Sequence, residues 1–320
     1  MEDLDFDYYG VLSSKYILQR KLWDGPSASV YKSFDYYSKE EYVIKVFDDA
    51  SEAFEREKKF NEIIRKSQKR FFVKYITSSK DIDKNEEKKY LIFEYYPKGD
   101  LCNYIKVNSK GLQEQNCKVM AYKIILAIQA LHKMGICHLD IKPDNILLSG
   151  DNFEIKIGDF GLSSSIYGIN GKVFQRGKVG TRGYMAPEII EGKDYDGEKA
   201  DVFSLGVLLF ILLIGKPPFL DAKMIYDKSE LKKNLYIFII KDSDYYWRIM
   251  GLTGLPLQFK ELFIRMVAYD PNKRPTIQEI LDDDWLKEIT NLKEDIFKTY
   301  EENLVKELKE REDSITKKKC

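Results

Sequence analysis

HLDIKPDNILL occupies residues 138–148. Asp140 stands between two apolar residues, with Lys142 two positions on and Asn145 five positions on. An Asp in a turn accepts the proton of an incoming hydroxyl, a Lys beside it neutralises a phosphate, and an Asn offers a neutral oxygen to a metal. Thirteen residues after Asn145 the chain gives GDFG, which places Asp159 in a Gly-flanked turn after the strand-like EIKI. Two oxygen donors from separate turns, Asn145 and Asp159, suit Mg²⁺, which prefers oxygen and keeps its waters for phosphates.

A lone D-x-x-x-x-N is weak, because Asp and Asn are common turn residues. H-x-D-x-K-x-x-N followed by DFG (159–161) and then APE (186–188) is specific, and here the sequence resembles the eukaryotic protein kinases. The resemblance covers roughly residues 16–287. It implies an α+β, bilobal protein kinase fold, with a small β-rich N-lobe and a larger, mainly α-helical C-lobe. It also implies ATP and Mg²⁺ as cofactors and a protein as substrate.

Further residues carry the resemblance. VIK (43–45) matches V-A-I-K, which assigns Lys45 to the α- and β-phosphates. Its partner should be a Glu on the next helix; Glu57 is the choice and Glu62 the rival. LIFEYYPKGDL (91–101) resembles the hinge: Phe93 would back the adenine pocket, the backbones of Glu94 and Tyr96 would bond the adenine edge, and Asp100 would face ribose or a basic substrate side chain. Leu22, Gly25, Val30, Tyr42 and Leu147 complete the implied nucleotide contacts. In GTRGYMAPE (180–188), Thr181 would bridge Asp140 and Lys142. Asp201 would tie down the catalytic loop, and Arg274 would pair with Glu188. KPDN together with GTRGYMAPE resembles the Ser/Thr side of the family, and Leu162 after DFG is of the kind that favours Ser. The overall look is closest to calcium/calmodulin-dependent-like kinases, without a calcium-binding loop.

The rest of the chain fits this organisation. YILQRKLW, SVYKSFDY and EYVIKVF read as strands, and a charged helix follows at about 50–68. FFVKYI and KKYLIFEYY read as two more strands; from LQEQNCKVMAYKIILAIQALHKMG onward the pattern is helical, with Gly135 as a stop. The expected boundaries are an extension over 1–15, an N-lobe over 16–93, a hinge over 94–99, a C-lobe over 100–287 and a charged tail over 288–320.

Lys+Arg and Asp+Glu both number 52, so the balance asks for neither nucleic acid nor an anionic membrane. Cys102, Cys117, Cys137 and Cys320 form no C-x-x-C pair, and two His in the whole chain make a His/Cys metal cluster a poor reading. Reduced thiols in a cytoplasmic protein fit better. The acidic start MEDLDFDYYG lacks the pattern of a signal peptide. VFSLGVLLFILLIG (202–215) reads as a buried core helix rather than a membrane span.

Two departures from the family pattern stand out. The glycine-rich loop reads LWDGPSASV (22–30): only Gly25 survives, with Trp23 and Ala28 in place of glycines. That should weaken or alter ATP binding before it abolishes chemistry. The second is Leu139, where the family carries an Arg that grips an activation-loop phosphate. IYGINGKVFQRGKVG (166–180) contains no Ser or Thr, and Ser163, Ser164 and Ser165 come too soon after DFG. The two absences agree, and activity independent of activation-loop phosphorylation is the expectation, with Tyr167 as the possible exception. The bland reading of Leu139 is packing against apolar neighbours.

Asp100, Asp144 and Asp227 fall where basophilic relatives place acids, which favours Arg or Lys before the phosphoacceptor. In the tail, Ile289, Leu292, Ile296, Tyr300, Leu304 and Leu308 recur at three or four, an apolar stripe expected to pack on its own domain. KKKC at 317–320 is not a C-a-a-X box. Two other readings remain: a pseudokinase scaffold, motivated by Trp23, Ala28 and Leu139, and a small-molecule phosphotransferase, against which GTRGYMAPE and DPNKRPT argue.

Overall fold

The computed structural model describes residues 9–47, 52–83, 86–107, 110–169, 171–219 and 235–319. The chain forms two compact units, 1–97 with 158–161, and 98–157 with 162–320.

The first unit is an antiparallel sheet with one helix. Its strands are β1 (Gly10–Leu12), β2 (Tyr16–Asp24), β3 (Ala28–Asp35), β4 (Glu41–Phe47), β5 (Tyr75–Asp83) and β6 (Glu86–Glu94), in the order β1-β2-β3-β4-β6-β5. Period-two alternation sends Ile44 and Val46 of β4 into a core with Leu12, Tyr16, Leu18, Tyr90 and Ile92. Lys45 therefore points to the opposite face. Leu12, inside the stretch read as an extension, is part of this core. Helix α1 (Glu52–Ser67) buries Phe54, Glu57, Phe60, Asn61 and Ile64, a three-and-four spacing, and packs on β5 and β6.

The second unit begins with α2 (Leu101–Lys106) and α3 (Glu114–Lys133), which Gly135 terminates at φ +77°. Next come β7 (Ile136–Cys137), a 3-10 turn over Pro143–Asn145, and the hairpin β8 (Ile146–Ser149) and β9 (Glu154–Ile157). Short strands β10 (Ser164–Ser165), β11 (Tyr167–Gly168) and β12 (Gly171–Lys172) follow; β10 pairs with β7, and β11 with β12. The helices after them are α4 (Pro187–Ile190), α5 (Gly197–Ile214), α6 (Leu235–Lys241), α7 (Ser243–Ile249), α8 (Leu257–Met266), α9 (Ile277–Leu281), α10 (Lys287–Thr290) and α11 (Glu294–Lys319). The core of this unit is α5, buried on nearly every side, capped by the Asp196 carboxylate at its start and by Gly215 at φ +85° at its end. Among the described residues no helix is long and apolar enough to cross a membrane.

The tail departs from the expected single stripe. Leu304 and Leu308 are buried, and Ile289 is buried in α10, but Ile296 is 43 % exposed. The chain breaks helical phase at Asn291, between α10 and α11, so a repeat counted across 288–300 does not lie on one face. Phe297 instead meets Tyr122 of α3, ring centroids 5.7 Å apart. The stripe continues past Leu308 with a charge, since Arg311 is buried.

Candidate active site

Lys45 is set by register: it lies opposite Val30 on β3 and Leu91 on β6. Its Nζ is 2.8 Å from Glu57 Oε2 and 2.9 Å from Asp159 Oδ1. The partner on α1 is thus Glu57 rather than Glu62, because position 57 falls on the buried face with Phe54, Phe60 and Ile64. Burial works to lower the Lys45 pKa, but the Glu57 and Asp159 carboxylates outweigh it and hold the ammonium above the ordinary lysine value. Burial pushes the Glu57 carboxyl up, and Lys45 pulls it back.

Asp159 adopts φ +60°, a left-handed conformation that a non-glycine residue holds only under strong surrounding constraint. Phe160 supplies part of that constraint: it is buried, its ring 6.0 Å from Phe72. Arg56 Nε donates to Gly161 O at 2.8 Å, and a Cβ on Gly161 would stand 3.0 Å from Glu57 Oε2, so a side chain there would crowd the ion pair.

The loop after β2 is closed on itself. Gly25 N–H donates to Ala28 O at 3.1 Å, and Ser29 Oγ donates to Asp24 Oδ1 at 2.5 Å. The Trp23 indole folds across Gly25, so that a Cβ there would fall 1.7 Å from a ring carbon. Trp23 pairs with Val30, and Val30 with Lys45, so these three share one face of the sheet. Ala28 is buried and its methyl is accommodated. Leu22 is exposed and Val30 half-buried.

Tyr42 is a correction. Alternation puts it with Ile44 on the core side, where it meets Tyr16 at 5.9 Å between ring centroids and its hydroxyl donates to Glu40 at 2.7 Å. That bond, with burial, pushes its pKa up to about 12. Val43 holds the place assigned to Tyr42: it shares the Lys45 face and pairs in register with Phe93. Counting back two residues from Lys45 would have found it.

Phe93 is buried with its ring 5.8 Å from Tyr75. Glu94 N–H donates to Lys74 O at 3.0 Å, so its amide is engaged within the first unit. The buried Tyr96 hydroxyl accepts from Lys74 N–H at 3.1 Å.

In the second unit the turn over 138–145 is built on Asp201 of α5, which is 0 % exposed. Its carboxylate accepts the backbone N–H groups of His138 and Leu139, both at 2.8 Å, and bonds His132 Nε2 at 2.9 Å. That grip holds Leu139 at φ +65°. Asp140 follows at the focus of a network. Its Oδ1 accepts from Thr181 Oγ1 at 2.7 Å, and its Oδ2 from Lys142 Nζ at 2.7 Å and Asn145 Nδ2 at 3.1 Å. Lys142 Nζ also donates to Thr181 Oγ1 at 2.7 Å, so Thr181 bridges the two. The Asn145 amide donates again to Asp140 O at 2.8 Å, which leaves Oδ1 as its acceptor. Among the described residues no group of three His, Cys, Asp or Glu is arranged for a metal ion. Asn145 in the second unit and Asp159 in the first each carry a side-chain oxygen, the donor type Mg²⁺ prefers.

Leu139 is 5 % exposed and lines a small niche with Met185, Ile189 and Ala200. The segment 180–188 is anchored by Arg274, whose two terminal nitrogens donate to Glu188 at 2.6 and 2.7 Å. Asp100 serves as the N-cap of α2: both its oxygens accept from Asn103, at 3.0 and 2.9 Å, and burial pushes its pKa up. Its backbone bridges to Leu147. Asp144 is exposed, and Asp227 lies outside the described residues.

The comparisons with known proteins agree with this fold. The protein kinase domain family matches residues 16–286, and the chain belongs to that family. It is 30 % identical over 282 residues to CBL-interacting protein kinase 30 of Oryza sativa subsp. japonica, covering 88 % of this chain and 56 % of that protein. CBL-interacting protein kinase 32 of the same organism is 31 % identical over 275 residues, 85 % of this chain and 59 % of that protein. A probable serine/threonine-protein kinase of Dictyostelium discoideum is 35 % identical over 199 residues, 61 % of this chain and 21 % of that protein. The chain thus spans little more than half the length of the plant relatives.

Proposed function

We propose that the chain is an ATP-dependent serine/threonine protein kinase, transferring the γ-phosphoryl of MgATP to a protein hydroxyl. The observation that carries this reading is Asp140, its carboxylate oriented by Thr181, Lys142 and Asn145 on a turn fixed by buried Asp201. Asp140 orients the acceptor hydroxyl and takes up its proton. Lys142 offsets charge on the transferring phosphoryl, and Lys45, poised by Glu57, offsets charge on the nucleotide phosphates. Asp159 and Asn145 are the residues that would hold Mg²⁺, which when bound neutralises the phosphate oxygens. Catalysis is mainly positioning and electrostatics.

Activity that does not depend on activation-loop phosphorylation is supported by contacts that hold the loop without a phosphate. Buried Gln175 donates from Nε2 to Ser165 O at 2.9 Å, bonds Ser164 Oγ, and exchanges backbone hydrogen bonds with Tyr195 at 2.7 and 3.0 Å. Lys172 pairs with Asp196 at 2.6 Å and Glu198 at 2.7 Å. Leu139 offers nothing to a phosphate. A preference for basic residues before the phosphoacceptor is supported by exposed Asp144 and less by Asp100, whose oxygens are engaged. A reducing, cytoplasmic setting is supported by Cys102, Cys117 and Cys137, all buried free thiols. Trp23 folded over Gly25 favours one other reading, a pseudokinase scaffold.

The test is phosphate transfer from MgATP to a basic Ser peptide by phosphatase-treated chain, beside Asp140→Asn. Transfer lost in the variant supports the reading. Transfer that appears only after loop phosphorylation refutes the independence. Absence of both transfer and MgATP binding makes Trp23 the prime suspect and favours the scaffold reading. A peptide array without basic enrichment removes the substrate preference.

A further inference from the structure

Helix α11 lies beyond the 16–286 family match, yet it completes two helices within it. The six-residue α2 is too short to be stable alone, and its last carbonyls lack intrahelical partners. Buried Arg311 answers one of them and ties it to the segment before α3: Nη1 donates to Tyr104 O of α2 and to Lys110 O, both at 3.0 Å, and Nη2 to Gly111 O at 2.5 Å. A cation at a helix C-terminus also complements its dipole. At the start of α3, the N-cap residue Gln113 makes no side-chain cap bond. Glu307 replaces it, with Oε2 accepting from Gln113 N–H at 3.2 Å and Asn116 Nδ2 at 2.7 Å. Arg311 and Glu307 are themselves paired at 2.8 Å, one turn apart. A single ion pair thus serves the C-terminus of one helix and the N-terminus of the next.

The neighbouring Glu312 reaches further. Both its oxygens accept from Lys98 Nζ at 3.1 Å, and Tyr104 Oη donates to it at 3.3 Å. Lys98 and Tyr104 flank Asp100. On the other side, Leu148 N–H donates to Gly99 O at 2.9 Å and Asp100 bridges to Leu147, two residues after Asn145. Segment 98–104 is therefore held between β8 and α11.

We propose that α11 is a positioning strut: through Arg311, Glu307 and Glu312 it sets Asp100 and Leu147, and so the ribose side of the nucleotide site. The placing of ribose rests on the kinase reading above; the strut itself does not. The experiment uses the full chain, with Glu312→Gln, Arg311→Met, Asp100→Asn, and Lys123→Met as control, because Lys123 meets α11 at Glu301, away from 98–104. Amide exchange over 101–106 and the Kd for MgATP are measured at a temperature where every variant is folded. The expected result is faster exchange in Glu312→Gln and Arg311→Met, with MgATP binding weakened about tenfold and kcat at saturating ATP retained. Lys123→Met should move neither readout. Unchanged exchange in both strut variants overturns the strut. Faster exchange with unchanged Kd, while Asp100→Asn weakens binding, overturns the positioning role. If Asp100→Asn also leaves Kd unchanged, the ribose assignment falls and the exchange result alone upholds or overturns the strut.

Discussion

Replacing Arg274 by Met should be among the most costly single changes in the second unit. The guanidinium makes five hydrogen bonds: to Ala268 O, Lys199 O, Tyr269 O and both oxygens of Glu188. Its side chain is 0 % exposed and that of Glu188 only 7 %. Methionine fills much of the volume but leaves the Glu188 carboxylate buried beside unpaired carbonyls. Breaking a buried pair from one side costs about 3–5 kcal/mol. Against a total stability of about 5–15 kcal/mol this is a large fraction. At about 2–4 °C per kcal/mol, the melting point should fall by at least roughly 6 °C. The assay is urea denaturation followed by the fluorescence of Trp247 and Trp285, both buried in this unit. Two comparisons sharpen it. Arg176→Met breaks a pair with Asp194 at 3.2 Å whose side chains are largely exposed, and should cost below about 0.5 kcal/mol. Arg274→Met combined with Glu188→Leu should recover part of the loss, since no charge is then stranded. A loss under about 1 kcal/mol in Arg274→Met, or a double variant worse than the sum of the singles, would refute the reasoning.

Trp23→Gly should tighten MgATP about fivefold, because the indole folded over Gly25 on the Lys45 face no longer has to be moved, a gain of roughly 1 kcal/mol; equal or weaker binding by calorimetry counts against it. Asp24 has its pKa lowered, first by the Ser29 hydroxyl and then by Lys21. A depressed folded value stabilises the loop above the unfolded pKa, and that contribution is lost as pH falls through the folded one; carboxyl NMR titration should show Ser29→Ala returning Asp24 toward the ordinary aspartate range. Gln175→Ala should loosen the loop over 164–176 and lower kcat severalfold with little change in MgATP affinity, since it removes side-chain bonds to Ser164 and Ser165 but touches no site residue; an unchanged kcat would show that the loop is held elsewhere.

Much of the site was legible because its residues are close in sequence and their roles follow from residue type. Asp140, Lys142 and Asn145 lie within six positions, so a single turn, held from α5 by Asp201, brings their side chains together. The missing Ser and Thr of 166–180 were equally plain, and so was the buried character of α5. The misreadings came where direction mattered more than type. Tyr42 and Val43 are neighbours in sequence, but strand alternation sends one to the core and the other to the Lys45 face.

The sequence by itself determined the residue types on which the proposed chemistry rests: Asp140, Lys142 and Asn145 in one short segment, Lys45 in a strand, Asp159 in DFG, and Leu139 beside Asp140. Only the tertiary structure decided which of several charges are used. It chose Glu57 over Glu62, closed the Trp23–Gly25 loop, and drew Arg311 and Glu307 out of a charged tail to cap α2 and α3. The reason is physical. Periodicity tells which face of an element is apolar, but a charged side chain gains a partner only when chain distant in sequence brings an unsatisfied group within hydrogen-bond reach.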